Sequence, residues 1–307
     1  MRMNRNKKVT MRDVAKEVGV SLATVSYVLN HSEKEKISHE MRLKVMETAK
    51  RMNYVPNQSA RALAGKKSSL IGIIVNIDEG STSSKKGRYY DLVAELQRQF
   101  HLMNYDTVVS FMSKMDDVDI ISKRSMDAAF IIDIDEKNLN ASTRNYYVPV
   151  IFLDCDFEEN LFYKILPDYD GMFSEAKKVL GTDKMFLVCE EVKNKSVREI
   201  YEKHFALEDI FVNGRRDSLS SFLERNKGRK GVIIGDLLGL QVERYLENDR
   251  FIVISHSGDN MLLEGTKRFV VKNEEIARCA AGVLKKLLTL EYDEAKENRI
   301  YLPFTIE

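Results

Sequence analysis

The stretch Gly19–Leu29, GVSLATVSYVL, decides the fold of the N-terminal part of this chain. A glycine suited to end one helix is followed at once by Ser21, a residue type that caps the start of another. The second helix would bury Val25, Val28 and Leu29 and expose small and hydroxyl side chains at its start. Two helices joined by so tight a turn are typical of a helix-turn-helix, whose second helix enters the major groove of DNA.

The residues on either side complete a small three-helix unit. Thr10 and Asp13 have the spacing of a capping box for the helix that Gly19 ends. Ser38 can cap a third helix that runs to about Asn53. We expect an all-α headpiece that binds DNA, and a three-helix bundle that binds protein is the alternative.

The charge of the chain changes sign after this unit. Residues 1–67 carry 15 Lys and Arg against 6 Asp and Glu, a balance of +9. The remaining residues carry 33 and 41, a balance of −8, so the whole chain has a net charge of only +1. A basic piece on an acidic body indicates that the first piece alone contacts a polyanion.

Side-chain chemistry divides the exposed positions of the second helix into two groups. Leu22, Ala23 and Tyr27 are candidates for contact with base edges, through apolar contact with a thymine methyl or a tyrosine hydrogen bond. Short donors hold phosphates and set the register on the duplex. The candidates for that role are Thr24, Ser26 and Asn30.

A break and a short conditional helix follow. Pro56 forces the preceding residue out of the helical region, and Asn57 can cap a new helix that ends at Gly65. A helix of about two turns is marginal in water and needs a partner to form. Leu63, a lone large apolar residue among basic neighbours, suits a minor-groove wedge. The alternative is a linker residue that packs on the body.

From residue 69 the pattern changes to apolar runs of strand length that alternate with amphipathic helical stretches. This alternation predicts parallel sheets with helices on both faces. The expected strands are Leu70–Val75, Thr107–Phe111, Ala128–Ile132, Val148–Leu153, Lys184–Cys189, Gly231–Ile234 and Phe251–Ile254. The expected helices are Tyr90–Met103, Met172–Leu180, Val197–Phe205, Leu238–Leu246 and Glu274–Leu290, and Ser81–Gly87 is expected to be a loop.

Several classes of protein find no support in the sequence. No apolar run approaches the ~20 residues of a membrane span. The three cysteines, Cys155, Cys189 and Cys279, are too widely spaced for a metal site or a disulfide framework, which favours reduced thiols in the cytoplasm. There is no P-loop, GxSxG or GxGxxG motif, so we expect no catalytic residue, no metal, no cofactor and no enzymatic activity.

The segment Val9–Val75 resembles the lac/gal repressor (LacI/GalR) family of bacterial transcription regulators almost continuously. The resemblance implies that Leu22, Ala23 and Tyr27 contact bases and that Thr24, Ser26 and Asn30 contact phosphates, as their side-chain chemistry also indicates. It also places Asn57 and Ala60 in a hinge helix and puts Leu63 at the centre of a palindromic operator. Such an operator implies a homodimer.

The resemblance further implies a division of the chain into three parts. These are a helix-turn-helix DNA-binding domain at 1–53, a hinge helix and linker at 54–68, and an effector-binding and dimerisation core at 69–307. The core would have the two-lobed fold of periplasmic sugar-binding proteins. Its first lobe would cover about 69–166 and 258–286, and its second about 167–257 and 287–307.

In that fold the ligand lies between the lobes, at the carboxyl ends of the strands. The positions that resemble family pocket residues are Tyr89, Tyr90, Asp154, Asp168, Arg198 and Asp236. Each has an ordinary alternative, because an aspartate after a strand often caps a helix and an arginine on a helix is often solvated. The chain also departs from the family pattern, with Tyr201 at a usual glycine and Ser257 near a usual aspartate.

Two accounts of regulation therefore stay open. In the first, the chain is a cytoplasmic, nucleoid-associated repressor whose dimer binds a palindromic operator and is gated by a carbohydrate-related effector. In the second, the pocket is degenerate and the core answers to a protein partner or to nothing. Neither account involves a membrane.

Overall fold

The structure, a computed structural model, describes residues 9–29, 37–52, 54, 68–111, 126–135, 148–158, 162–215, 218–289 and 298–307. The chain divides into two compact units, Met1–Lys67 and Ser68–Glu307. Each unit has a hydrophobic core of its own.

The described residues of the N-terminal unit form three helices, α1 (Met11–Val18), α2 (Leu22–Leu29) and α3 (His39–Arg51). Helix α1 begins at the predicted capping box, where the amide of Thr10 donates to the carboxylate of Asp13 at 2.8 Å. It ends at Gly19, whose φ of +79° is costly for any residue with a Cβ.

The turn into α2 is fixed by a second cap. The amide of Thr24 donates to Ser21 Oγ at 2.9 Å, which satisfies an amide at the start of the helix. One side chain from each helix, Val14, Val25 and Val45, is completely buried. The three helices thus enclose a small core and fix the orientation of α2.

The first sheet of the C-terminal unit is parallel throughout. Its described strands are β1 (Leu70–Val75), β2 (Asp106–Phe111), β3 (Ala128–Ile132), β4 (Val150–Leu153), β5 (Tyr163–Pro167) and β11 (Arg299–Leu302). Their order is β11-β5-β4-β3-β1-β2. Ile73 and Ile74, neighbours on β1, lie in two different hydrophobic clusters, because both faces of the sheet are buried.

The second sheet has the order β12-β10-β9-β8-β6-β7 and is parallel except for its edge strand β12. Its described strands are β6 (Met185–Cys189), β7 (Ile210–Val212), β8 (Lys230–Ile234), β9 (Phe251–Ser255), β10 (Lys267–Val270) and β12 (Thr305–Ile306). The described α-helices of the unit are α4 (Ser83–Leu102), α5 (Tyr169–Leu180), α6 (Lys195–His204), α7 (Leu219–Arg225), α8 (Asp236–Val242) and α9 (Asn273–Thr289). The predicted two-lobed α/β core with parallel sheets is confirmed.

The lobe boundaries differ from those expected for the C-terminal third. Of residues 258–286, expected in the first lobe, α9 packs on α4 and β5 of that lobe, but β10 lies in the second sheet, where it pairs with β9. Of residues 287–307, expected in the second lobe, β12 lies in the second sheet, but β11 pairs with β5 in the first. Both strands are short, and the partner of β11 lies far away in sequence, so local periodicity does not assign them to a sheet.

Helix α4 begins earlier than the sequence pattern predicts. Ser81–Gly87 was expected to be a loop, but most of it forms the first turns of α4. The cause is a cap, because Thr82 Oγ1 accepts the amide of Lys85 at 3.1 Å. This early start matters for the site, since it brings two cations onto the helix.

Candidate functional site

The outer face of α2 presents the predicted DNA-contacting residues. Leu22 is 43% exposed, and Ala23 beside it is also exposed. Thr24, Ser26 and Tyr27 are half-buried along the same helix. The helix therefore offers an apolar tip with hydroxyl groups behind it.

Four predicted DNA contacts lie outside the described residues. They are Asn30, at the end of the recognition segment, and the hinge positions Asn57, Ala60 and Leu63.

In the core, two aspartates end neighbouring strands of the first sheet. Asp133 follows β3 and Asp154 follows β4, and these strands are paired in parallel. Both residues have positive φ angles, 54° and 51°, which are uncommon for a residue other than glycine. The two side chains are buried, at 0% and 6% exposure for the whole residues. Two adjacent buried carboxylates need cations or donors close by.

Helix α4 supplies one cation for each carboxylate. Lys85 Nζ lies 2.6 Å from an oxygen of Asp133, and Arg88 Nη2 lies 2.6 Å from an oxygen of Asp154. The two cations stand three residues apart, so they share one face of the helix. Only 4% of the Lys85 side chain and 14% of the Arg88 side chain are exposed.

The burial of these charges changes their pKa values. Burial raises the pKa of Asp133 above its ordinary value, and the nearby ammonium of Lys85 opposes this shift. Burial opposes the charge on Arg88, but the Asp154 carboxylate helps to hold the Arg88 pKa well above its ordinary value.

The same groups connect the first lobe to the second. Lys85 Nζ also donates to the carbonyl of Glu191, beyond β6, at 2.7 Å. The other oxygen of Asp133 accepts the amide of Lys193 at 2.7 Å. Arg88 donates to the hydroxyl of Tyr169, the first residue of α5, at 3.2 Å.

A second contact between the lobes lies at the start of α4. Thr82 Oγ1 donates to a carboxylate oxygen of Glu190 at 2.6 Å. Asn213, after β7, donates to the other oxygen at 2.9 Å. The start of α4 therefore meets the ends of β6 and β7 through a fully bonded carboxylate.

Some of the predicted effector residues lie around the ion pairs of Lys85 and Arg88. Tyr89 is 3% exposed, and its ring centroid lies 5.2 Å from the guanidinium carbon of Arg88, which binds Asp154. Asp236 accepts the amide of His256 at 3.3 Å. Burial, followed by the charge of Arg88, lowers the pKa of His256 well below its ordinary value, so the imidazole is neutral at pH 7.

The other predicted effector residues have different surroundings. Tyr90 is 48% exposed and makes an edge-on contact with Phe111, with ring centroids 5.0 Å apart. Asp168 caps α5 and accepts the amide of Gly171 at 3.0 Å. Arg198 donates to two backbone carbonyls of the loop before α6, at 2.8 and 2.6 Å.

Polar atoms beyond the ends of β8, β9 and β10 lack hydrogen bonds to other described groups. They belong to Asp236, Ser255, His256 and Asn273, each of which is at most 8% exposed. Buried polar atoms are normally paired, so this cluster can accept and donate hydrogen bonds to a small polar molecule.

The sequence interpretation missed several residues of this site. Asp133 follows an apolar strand just as Asp154 does, so its signal was visible. Lys85 was assigned to a loop, and Arg88 has no local signal that tells it from a solvated arginine. Tyr201, 4% exposed, packs edge-on against Tyr169 with ring centroids 5.5 Å apart, and so fills space where the family pattern has a glycine.

Metal binding and membrane spanning find no structural support in the described ranges. They contain no group of three His, Cys, Asp or Glu side chains placed to hold a metal ion. Within the same ranges, no helix is both long and apolar enough to cross a membrane.

A family model described as "Bacterial regulatory proteins, lacI family" matches residues 10–57, which include α1, α2 and α3. The N-terminal helices of this chain thus match the lacI family. The helix-turn-helix headpiece predicted from the sequence is thereby confirmed.

Two curated relatives show how far this chain can be aligned. The probable HTH-type transcriptional repressor ExuR of Bacillus subtilis (strain 168) is 30% identical over 171 residues, covering 52% of this chain and 46% of that protein. Catabolite control protein A of Staphylococcus epidermidis is 27% identical over 197 residues, covering 63% and 59%. The matched region thus spans about half the length of these relatives.

Solved structures resemble this chain over nearly its whole length. A lac repressor dimer bound to operator and the anti-inducer ONPF has a TM-score of 0.61 at 20% identity, covering 98% of both chains. A complex of the transcriptional regulator CelR with cellobiose has a TM-score of 0.60 at 15% identity, again covering 98% of both. At these identities the likeness shows the shared fold.

Proposed function

We propose that this lacI-family chain is a sequence-specific DNA-binding transcription regulator, a repressor that binds a palindromic operator as a homodimer. The carrying observation is the headpiece, in which two capped helices present Leu22 and Ala23 at the exposed start of α2. The +9 charge balance of residues 1–67 suits a phosphate backbone, whereas the −8 balance of the rest does not. Since its partner is operator DNA, we place its action in the cytoplasm.

Within this proposal the contacts keep the division made from the sequence. Leu22, Ala23 and Tyr27 contact bases. The phosphates are contacted by Thr24, Ser26 and Asn30. The hinge positions enter the minor groove. The division into a DNA-binding domain at 1–53, a hinge at 54–68 and a core from 69 belongs to the same proposal.

Selection from a library of random DNA duplexes tests the function. We expect the full chain to enrich one palindromic sequence, and failure to enrich any sequence contradicts the proposal. Leu22→Ala should reduce discrimination at one base position in each half-site, because the apolar contact with a base edge is lost. Thr24→Ala should instead weaken binding to all duplexes uniformly.

The hinge has a test of its own. Leu63→Ala should weaken binding to the selected duplex far more than binding to nonspecific DNA, because a wedge acts only on a kinked specific site. Equal losses in a competition assay would exclude the wedge.

The dimer is supported by apolar side chains left exposed on the second lobe. Leu237 and Tyr245 are 42% and 48% exposed, and both line a groove of about 550 Å³. Met261 and Leu263, before β10, are 46% and 57% exposed. Such a patch is typical of a protein interface, and we assign it to a second copy of this chain. Sedimentation of Tyr245→Glu should show weakened association if that assignment is correct.

For control of the core, we propose a small carbohydrate-related effector between the lobes. The support is the set of unpaired polar atoms around His256, which a hydroxyl-rich molecule can satisfy, and the cellobiose complex of a structural relative. A thermal-shift screen of sugars, sugar phosphates and nucleosides tests this, since a ligand of the folded state raises the melting temperature.

A second candidate is a core controlled by a protein partner or by nothing. The observation that favours it is that Asp154, Asp168 and Arg198 are already bound by groups of the chain itself. A screen without any shift in melting temperature supports this candidate over a small-molecule effector.

A further inference from the structure

The contacts between the lobes include four buried charges that neutralise one another. We use the name clasp for Lys85, Arg88, Asp133 and Asp154. Both of its ion pairs are 2.6 Å long, and all four side chains are at most 14% exposed. The chain itself thus supplies opposite charges at the strand ends where the fold binds ligands.

Three of the clasp residues bond directly across to the second lobe, because Arg88 reaches the hydroxyl of Tyr169 in addition to the contacts of Lys85 Nζ and the Asp133 carboxylate. Lys85 donates to the carbonyl of Glu191, and Asp133 accepts the amide of Lys193. Close by, the buried Asn194 donates to the carbonyl of Ile134 at 3.1 Å. These bonds exist only while the two lobes lie against each other.

The Asp133 carboxylate and the Lys85 ammonium are both hydrogen-bonded to other groups of the chain. Asp133 accepts from Lys85 on one oxygen and from the second lobe on the other. Opening the lobes would remove the backbone hydrogen-bond partners of the buried Asp133 carboxylate and of Lys85. This is costly, because a charge that stays out of water needs such partners.

We propose that this clasp holds the lobes closed without a small molecule, so that the closed core is the resting state of this regulator. The proposal concerns regulation and rests on the proposed function for its biological meaning. An effector that bound between the lobes would then have to work against the clasp, by opening it.

The test measures the distance between the lobes in the full chain. Spin labels are attached at Leu102→Cys in the first lobe and Leu207→Cys in the second, which are 69% and 70% exposed. The background carries Cys279→Ser, because Cys279 is the partly exposed native cysteine. The chain is refolded from urea to remove small molecules and diluted with unlabelled chain, so that pulsed electron resonance reports distances within one subunit.

We expect one narrow distance distribution for this ligand-free chain. Lys85→Met should broaden it and shift it to longer distances. Asp133→Asn, which keeps the shape and one carbonyl oxygen, should cause a smaller shift in the same direction. Lys86→Met, on the same helix turn, is the matched control and should leave the distribution unchanged. Circular dichroism confirms that each variant is folded.

Two results would overturn the clasp. One is a broad or two-peaked distribution for the ligand-free parent, and the other is a folded Lys85→Met variant with the parent's narrow distribution. Neither bears on DNA binding, which the duplex selection measures separately. A chain that enriches an operator while its lobes are open refutes the clasp alone, and a closed chain that enriches none refutes the proposed function alone.

Discussion

Substitution of Arg88 by methionine removes one charge from a buried pair and leaves the other behind. The Asp154 carboxylate, with 7% of its side chain exposed, would then face neither its cation nor bulk water. Breaking a buried ion pair in this way costs about 3–5 kcal/mol. Both side chains are too deeply buried for solvent screening to reduce this cost.

The assay is urea unfolding of the full chain, followed by far-ultraviolet circular dichroism. Tyrosine emission serves as a second probe, because the chain has 13 Tyr and no Trp. The double variant Arg88→Met with Asp154→Asn should recover most of the loss, since the stranded charge is gone.

The matched control is Arg98→Met on the same helix. Arg98 pairs with Glu95 and Glu274, but 48% of its side chain is exposed. The free energy of unfolding should therefore change far less than for Arg88→Met. Equal losses for the two variants would refute the account of a buried, mutually dependent pair.

Two further predictions concern the headpiece and the pH dependence of the core. Gly19→Ala should destabilise the headpiece by about 1–2 kcal/mol, because φ at Gly19 is +79°. The control Gly228→Ala should leave stability almost unchanged. Thermal melts of both variants check this. Asp209 has a pKa held below the ordinary 3.8 by hydrogen bonds from Arg229, so its pair stabilises the core above pH 3.8 and the benefit is lost as the pH falls through the lowered pKa. In urea titrations Asp209→Asn should be less stable than the parent at neutral pH and equal to it in strong acid. The exposed control Asp183→Asn should be as stable as the parent at both pH values. A deficit for Asp209→Asn that stays the same at every pH would contradict this linkage between the pKa and stability.

Much of the headpiece was predictable from local chemistry. The caps at Thr10 and Ser21 and the glycine at position 19 act within four residues of themselves, so their signals survive in the sequence alone. Strands β1, β3, β4, β6, β8 and β9 were predictable for the same reason, because they are apolar runs buried on both faces. The short strands β5, β7, β10, β11 and β12 were not predicted, and β11 depends on a partner, β5, that lies far away along the chain.

The site between the lobes was predictable only in part. Asp154 stands out because it follows a buried strand, but its partner Arg88 lies 66 residues earlier on a helix, and spacing does not connect them. Arg198 illustrates the opposite case. Its position suggested an effector contact, yet it lies at the start of α6 and donates to carbonyls of the preceding loop.

The most direct test of the proposed function uses fluorescence anisotropy with the duplex obtained by selection. The full chain is titrated onto that palindrome and onto a copy with one half-site scrambled, at one fixed salt concentration. Each mismatched base pair costs about 1–3 kcal/mol, so scrambling several should weaken binding by at least about 100-fold. Equal affinity for the two duplexes would contradict a dimeric, sequence-specific regulator.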